Sequence, residues 1–278
     1  MNVTYLTPNA DGIVEWPTLS NDIKAVVTVG AFDGMHLGHQ AVIGRVVELA
    51  KRHHAFSVVI LFDPRPAFVH GWAAAHDGGE PRGDVPDANA LTSVDERIGR
   101  LERFGVDHVL VVRYTLAFAA KSYIFFLGQL TGKLGMRTLV LGQDAAMGEG
   151  RKGDVKAIAN LAAATGVFEL DVVDDRGPGT VRIPRVLHPQ MPDAWGEPAD
   201  PLAGATKAER RAWSKKHDAK EQRVWSSTHV RYLLAHGRIR EANAILGVAH
   251  AIEGTVVHGE ERGRTIGFPT ANLGSRID

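Results

Sequence analysis

The sequence predicts an α/β fold in which a parallel sheet is covered by helices on both faces. Three observations carry this. Short apolar runs rich in β-branched residues alternate with stretches of helical periodicity. Those runs are continuously apolar, as strands buried on both faces are. A glycine-rich segment joins the first buried run to the first helical stretch. Ligands of such sheets bind beyond the carboxyl ends of the strands, so chemistry is expected in the strand-to-helix loops.

Residues 24–31 (KAVVTVGA) read as the first buried strand. Residues 40–52 follow as a helix, with Val42, Val46 and Leu49 on one face. Residues 57–62 (SVVILF) read as a strand ending in a proline-punctuated loop, DPRP. The Gly/Asp/Pro-rich stretch 76–90 reads as a loop. Helices are expected at 95–104, 116–131 and 156–164, and strands at 107–112, 137–141 and 167–173. Residues 186–222 break the alternation. They are proline-rich, then basic, with little apolar periodicity, and read as a surface insertion; a basic flap closing over phosphates is the sharper alternative. Two short amphipathic helices are expected at 227–236 and 239–246.

The 278 residues carry 32 Lys plus Arg and 32 Asp plus Glu, a formal net charge of zero. That balance gives no global attraction to nucleic acid or an anionic membrane. It is an average, since residues 77–96 hold six acids against one base and residues 207–223 seven bases against three acids. The chain has no cysteine, which removes disulfides, thiolate metal sites and cysteine nucleophiles. No run reaches the roughly 18 apolar residues of a membrane helix, and the N-terminus lacks a signal-peptide pattern. A cytoplasmic location is expected. The oligomeric state is not legible.

The richest segment is Gly30-Ala31-Phe32-Asp33-Gly34-Met35-His36-Leu37-Gly38-His39-Gln40. Gly30 and Gly34 allow close backbone approach to a ligand, and the helix N-terminus that follows offers free N–H groups to an anion. His36 and His39 are spaced to donate to phosphate oxygens, with Gly38 leaving room between them. A glycine-rich turn with incidental histidines is the bland alternative. Zinc is a weaker one, because no third ligand is evident. A second segment, Trp225-Ser226-Ser227-Thr228-His229-Val230-Arg231, offers Ser227 or Thr228 as a helix cap and Arg231 one turn later as a fork for pyrophosphate oxygens. Gly148-Glu149-Gly150-Arg151-Lys152-Gly153 satisfies the bare dinucleotide fingerprint, but it stands away from a strand end and after a late strand.

The first segment resembles the His-x-Gly-His signature of the nucleotidyltransferase superfamily. In its wider form it is similar to the bacterial bifunctional riboflavin kinase/FMN adenylyltransferases, or FAD synthetases. Four further segments agree in order: Phe62-Asp63-Pro64-Arg65-Pro66; Leu141-Gly142-Gln143-Asp144 with Gly148 to Asp154; the Ser-Ser-Thr-x-x-Arg stretch; and Gly263 to Leu273, which resembles the opening of the riboflavin kinase domain. The resemblance implies a Rossmann-like nucleotidyltransferase domain in residues 1–185 and 223–248, interrupted by the insertion 186–222, with a truncated kinase-like segment at 249–278. It implies transfer of AMP from ATP to FMN, giving FAD and pyrophosphate, with Mg²⁺ carried by the phosphates. His36, His39 and Arg231 would be catalytic. Gly30, Phe32, Asp33, Gly34, Asp144, Ser226, Ser227 and Thr228 would bind the nucleotide. Phe62, Asp63, Pro64, Arg65 and Pro66 would bind the acceptor. Thr270 and Asn272 match the kinase's Mg–ATP motif.

Two departures fall on the flavin side. Ala145-Ala146-Met147 stands where the family pattern has two aromatics and an arginine, and Arg65 stands where it has histidine. Two alternatives therefore remain open: nucleotidyl transfer, from ATP or CTP, to another phosphorylated or phosphonylated small molecule, and a non-catalytic nucleotide or flavin sensor. Residues 249–278 are too few for an independent barrel, so riboflavin kinase activity is expected to be absent. The expected partners are small molecules, with no nucleic acid and no membrane.

Overall fold

A computed structural model describes residues 1–189, 196–252, 254–259, 267 and 272–277. Its centre is a six-stranded sheet of β1 (Asn2–Leu6), β2 (Ala25–Gly30), β3 (Phe56–Asp63), β4 (His108–Arg113), β5 (Met136–Gly142) and β6 (Glu169–Val173). The spatial order is β1-β4-β3-β2-β5-β6, and every pairing is parallel. From β2 the chain steps one way to β3 and β4, then crosses to the other side of β2 for β5 and β6. The order therefore reverses between β2 and β5, and that switch point opens a crevice at the carboxyl ends of the strands. Of these six strands only β1 is absent from the sequence reading, being an edge strand with most of its side chains exposed.

The continuous apolar runs are explained by helices on both faces. Ala25 and Val27 of β2, with Val58 and Ile60 of β3, pack against Phe126, Leu127 and Leu130. Those residues belong to α5 (Tyr123–Leu134), and α6 (Val155–Thr165) adds Ile158 to the same layer. The alternate residues point the other way. Val26 meets Val42, Val46 and Leu49 of α1 (Leu37–His53). Val59 and Leu61 meet Ile43 and Val47 of α1, and Leu101 of α3 (Val94–Phe104). Each fully buried aliphatic side chain contributes about 1.5–3 kcal/mol, which makes these layers the rigid frame under the crevice.

Three elements differ from expectation. The proline-punctuated loop is followed at once by α2 (Pro66–Ala75), whose Pro66 occupies the first helical turn, where its missing N–H is harmless. The single helix expected at 116–131 is two, α4 (Leu116–Ala119) and α5, because Ser122 caps a new start by accepting from Phe125 N–H. The insertion contains α7 (Lys207–Lys216), begun by a capping box in which Thr206 and Glu209 satisfy each other's backbone.

The insertion also has a closed base, since β7 (Thr180–Ile183) and β8 (Lys220–Arg223) pair antiparallel. It docks on α9 (Ile239–Leu246), where Glu197 accepts from Arg240 N–H at 2.7 Å and Asp200 pairs with Arg238 at 3.5 Å. The expected pair 227–236 and 239–246 forms as α8 (Ser227–Ala235) and α9. Gln40 closes this end of the frame, donating to the carbonyls of Met35 and Leu246. Beyond α9 lies an antiparallel ribbon of β9 (Gly254–Val257) and β10 (Asn272–Ile277), with β9 exposed throughout. Among the described residues no helix is long and apolar enough to cross a membrane.

Candidate active site

The crevice at the switch point is a cavity of about 810 Å³, within the range that encloses small ligands and cofactors. Its floor is the loop after β2. Phe32 and Met35 both adopt left-handed backbone (φ 47° and 46°), unusual for non-glycine residues, and both side chains are buried in the α1/α3 layer. Gly34 also has positive φ, and a Cβ there would lie 2.8 Å from Leu91.

His36 is the N-cap of α1, and its Nδ1 accepts from His39 N–H at 3.4 Å. That role assigns the ring proton to Nε2. Burial, then the nearby Arg223 and Arg231 cations, push the His36 pKa down to about 3. The His39 ring stacks on it at 3.6 Å, and the His39 pKa is also held well below the ordinary range, first by burial and then by its charged neighbours. His39 Nδ1 is buried with no hydrogen-bond partner. Both rings are thus neutral near pH 7 and act as hydrogen-bonding groups, while the positive charge comes from arginines. Such fixed, partly dehydrated donors stabilise charge that develops during reaction.

Arg231 of α8 is paired with buried Asp33, and its Nε donates to the Asn89 carbonyl. Asp33 also accepts from the N–H groups of Leu91 and Thr92, and its carbonyl accepts from Ser227 Oγ. Arg223, at the end of β8, donates to Asp175 Oδ2 at 2.6 Å and stands 3.7 Å from Asp144. Asp175 is buried beneath two glycines. A Cβ at Gly142 would lie 2.2 Å from its carboxylate, and one at Gly38 would lie 2.2 Å from its carbonyl oxygen. The room at Gly38 therefore admits Asp175 as well as the His36 ring, whose Cε1 a Cβ there would meet at 3.2 Å.

The opposite wall is aromatic. Phe62, Tyr114 and Phe118 form a triangle with centroids 5.3–5.9 Å apart, and Ala145, Ala146 and Met147 face the same cavity. His70 of α2 meets the Tyr114 hydroxyl at 3.1 Å at its rim.

With this geometry fixed, comparison with known proteins gives a family. The FAD synthetase family model matches residues 18–185. The chain belongs to the FAD synthetase family. A riboflavin kinase family model matches residues 246–277. Bifunctional riboflavin kinase/FMN adenylyltransferases from Listeria monocytogenes, Bacillus subtilis and Escherichia coli K12 are 30%, 30% and 32% identical, over 93%, 90% and 89% of this chain. The chain spans 64%, 62% and 62% of those relatives' lengths, a little under two thirds. A crystal structure described as a macrolide-efflux protein from Streptococcus pneumoniae shares the fold, with TM-score 0.62 and 22% identity, over 98% of this chain and 69% of that one.

In this FAD synthetase family member, several residues expected at the site converge on the cavity. Gly30, Phe32, Asp33, His39, Asp144, Ser227 and Arg231 line it; His36 is buried against His39 and does not itself line the cavity. Phe62, Arg65 and Pro66, expected to bind the acceptor, also line it. Others have different work. Ser226, not Ser227 or Thr228, caps α8; it accepts from His229 N–H and donates to the Arg223 carbonyl. Thr228 is exposed and, like Gly34, Asp63 and Pro64, does not line the cavity. Asp63 turns to Arg97 at 2.9 Å. Arg65 makes a two-pronged pair with Asp87, both contacts 2.7 Å.

Gly148 and Gly153 of the bare dinucleotide fingerprint make room for Tyr123, which a Cβ at either would approach within 2.4 Å. Thr270 lies outside the described residues, and Asn272 begins β10. The sequence reading passed over Arg223, Asp175, Tyr114 and Phe118. Arg223 closes the basic run 207–223 and looks there like one more solvated charge. Asp175 had an available signal, standing two residues after a strand end, where ligands of such sheets collect.

Proposed function

We propose that the chain transfers AMP from ATP to FMN, releasing pyrophosphate and forming FAD. The observation that carries this is the convergence, at one switch point, of two neutral histidines, two arginines and two helix N-termini beside an aromatic wall. An FMN phosphate oxygen attacks the α-phosphorus of ATP, the bond to the bridging oxygen of the β-phosphate breaks, and pyrophosphate leaves. No covalent enzyme intermediate is required. His36 and His39 stabilise charge on the transferring phosphoryl group, and alignment supplies much of the remaining acceleration. Arg231, Arg223 and the first N–H groups of α8 grip the β- and γ-phosphates. Binding exchanges the Arg231–Asp33 pair for a contact with phosphate. Phe62, Tyr114 and Phe118 offer flat apolar surface for a planar acceptor.

Among the described residues no three His, Asp or Glu side chains gather as a metal cluster. Mg²⁺ commonly takes one or two carboxylates beside substrate phosphates, and the mostly exposed Asp144 is the donor that fits. Mg²⁺ bound there would neutralise charge between the phosphates. The reading includes a cytoplasmic location, small-molecule partners only, and no riboflavin kinase activity from these 278 residues. Among the described residues beyond α9 the one paired element is a two-stranded ribbon, a unit that is marginal in water by itself.

The test is pyrophosphate release with ATP or CTP and with FMN or other phosphorylated and phosphonylated acceptors, FAD being followed by chromatography. FAD formation with ATP and FMN is expected. Faster turnover with another acceptor would replace FMN in this scheme, and ligand binding without any release would make the chain a sensor.

A further inference from the structure

Arg97 is the largest fully buried side chain among the described residues, and it is a cation. It lies on α3, outside every motif the sequence analysis singled out. Its Nε donates to the Ser93 carbonyl of its own helix at 3.2 Å. One terminal nitrogen donates to two carbonyls, that of Ala31 just past the end of β2 at 2.8 Å and that of Phe62 in β3 at 3.2 Å. The other donates to Asp63 Oδ1 at 2.9 Å.

The position of those carbonyls matters. The β2–β3 ladder ends at the pair Gly30–Leu61. Two residues later the chain after β2 turns away through the left-handed Phe32, while β3 runs on beside β4. The cavity opens where the two strands part, with Gly30, Ala31 and Phe32 on one lip and Phe62 on the other. Ala31 starts the loop that leads to His36. Phe62 starts the aromatic wall. A single guanidinium nitrogen spans the split and replaces the ladder where the sheet can no longer continue it. Leaving those carbonyls buried and unpaired would be costly, so the fork both satisfies them and fixes their separation.

We infer that Arg97 is a positioning residue for nucleotidyl transfer, setting the spacing between the loop that holds the donor phosphate and the strand end that holds the acceptor. The inference rests on the adenylyl-transfer reading above. In-line transfer needs reacting atoms about 3–3.5 Å apart, and a misplacement of about 1 Å costs on the order of 100-fold in rate. Arg97 is buried and does not line the cavity, so its effect belongs in turnover rather than in binding.

The experiment compares the unsubstituted chain with Arg97→Lys and Arg97→Met. Lysine keeps the charge beside Asp63 but lacks the planar fork that bridges two carbonyls. Arg97→Lys is expected to lower kcat roughly 10- to 100-fold, with KM for ATP and for FMN, and the Kd of ATP alone, each within about threefold of the original. Arg97→Met should lose at least as much. The folded fraction is measured by thermal melting, and rates are expressed per folded molecule. Full kcat per folded Arg97→Lys molecule overturns the inference, as does failure of both variants to fold, since either outcome makes Arg97 purely structural. A raised KM with unchanged kcat also overturns it, by moving the effect into binding. No FAD from the unsubstituted chain removes the adenylyl-transfer reading and this inference together, whereas FAD formation with an unaffected Arg97→Lys removes the inference alone.

Discussion

The two sides of the cavity are built in opposite ways. The proposed donor side is polar, charged and locally encoded, with Asp33, His36 and His39 close together where the loop after β2 enters α1, and Ser227 and Arg231 near the start of α8. The proposed acceptor side is apolar and assembled from distance, with Phe62 from β3, Tyr114 and Phe118 from the segment after β4, and Ala145 to Met147 from the loop after β5. Phosphate chemistry needs particular donors at fixed offsets, so its residues travel together along the chain. A flat apolar wall needs only ring surface, which any segment can contribute.

The sharpest way to break this contrast is to remove a donor-side contact. His36→Ala or Arg231→Ala is expected to lower kcat by at least ~10²-fold, the usual loss for a transition-state donor, while FMN binding stays close to the original. Purified, folded variants are compared by pyrophosphate release and by FMN fluorescence quenching. Near-original turnover would remove these residues from the chemistry.

Acid should also act on the donor side selectively. His36 is buried neutral with a pKa near 3, whereas the unfolded chain takes up its proton near the ordinary 6.5. The unfolded state therefore binds more protons between those values, and stability is lost as pH falls from 6.5 toward 3. At about 1.4 kcal/mol per pH unit, His36 alone contributes a loss of about 2–3 kcal/mol between pH 6.5 and 4.5. His39 acts in the same direction. Urea unfolding at the two pH values measures this, and His36→Asn should flatten the dependence. A variant on the aromatic wall should leave it intact.

The same contrast decides what was legible in the sequence. The α/β layers were readable because β-branched apolar runs and helical periodicity report burial directly. His36, His39 and Arg231 were readable because a short motif implies its own geometry. Asp175 was not, because its place under Gly142 and Gly38 is a tertiary fact linking three separate segments. Arg223 was hidden by the basic run that it ends. The capping box of α7 was present as Thr206 and Glu209, but proline-rich flanks masked it. The missing aromatics at Ala145 to Met147 point to that loop, whereas the aromatic surface comes from other segments lining the same cavity, at Phe62, Tyr114 and Phe118.

On the acceptor side the expected effects are smaller and belong to binding. Phe118→Leu keeps apolar bulk but removes a ring that contacts Phe62, Tyr114 and Phe126. Aromatic pairs contribute about 0.5–1.5 kcal/mol beyond burial, so KM for FMN should rise about 2- to 10-fold with KM for ATP unchanged. An equal rise in both would show that the two sides are not separable.

The smallest effect tests where the donor side ends. Ser226 stands first in the Ser-Ser-Thr segment, yet its hydroxyl is occupied on both sides, accepting from His229 N–H and donating to the Arg223 carbonyl. Ser226→Ala should cost about 1 kcal/mol of stability through loss of the cap. Turnover should fall only as far as the loosened α8 N-terminus and Arg223 backbone allow. Ser227→Ala removes instead the hydroxyl that binds the Asp33 carbonyl and faces the cavity. It should spare the cap and raise KM for ATP. Adjacent serines with opposite signatures, one in melting temperature and one in nucleotide affinity, would separate the scaffold of the phosphate site from its contacts. A raised ATP KM in Ser226→Ala with no change in melting would return Ser226 to the nucleotide.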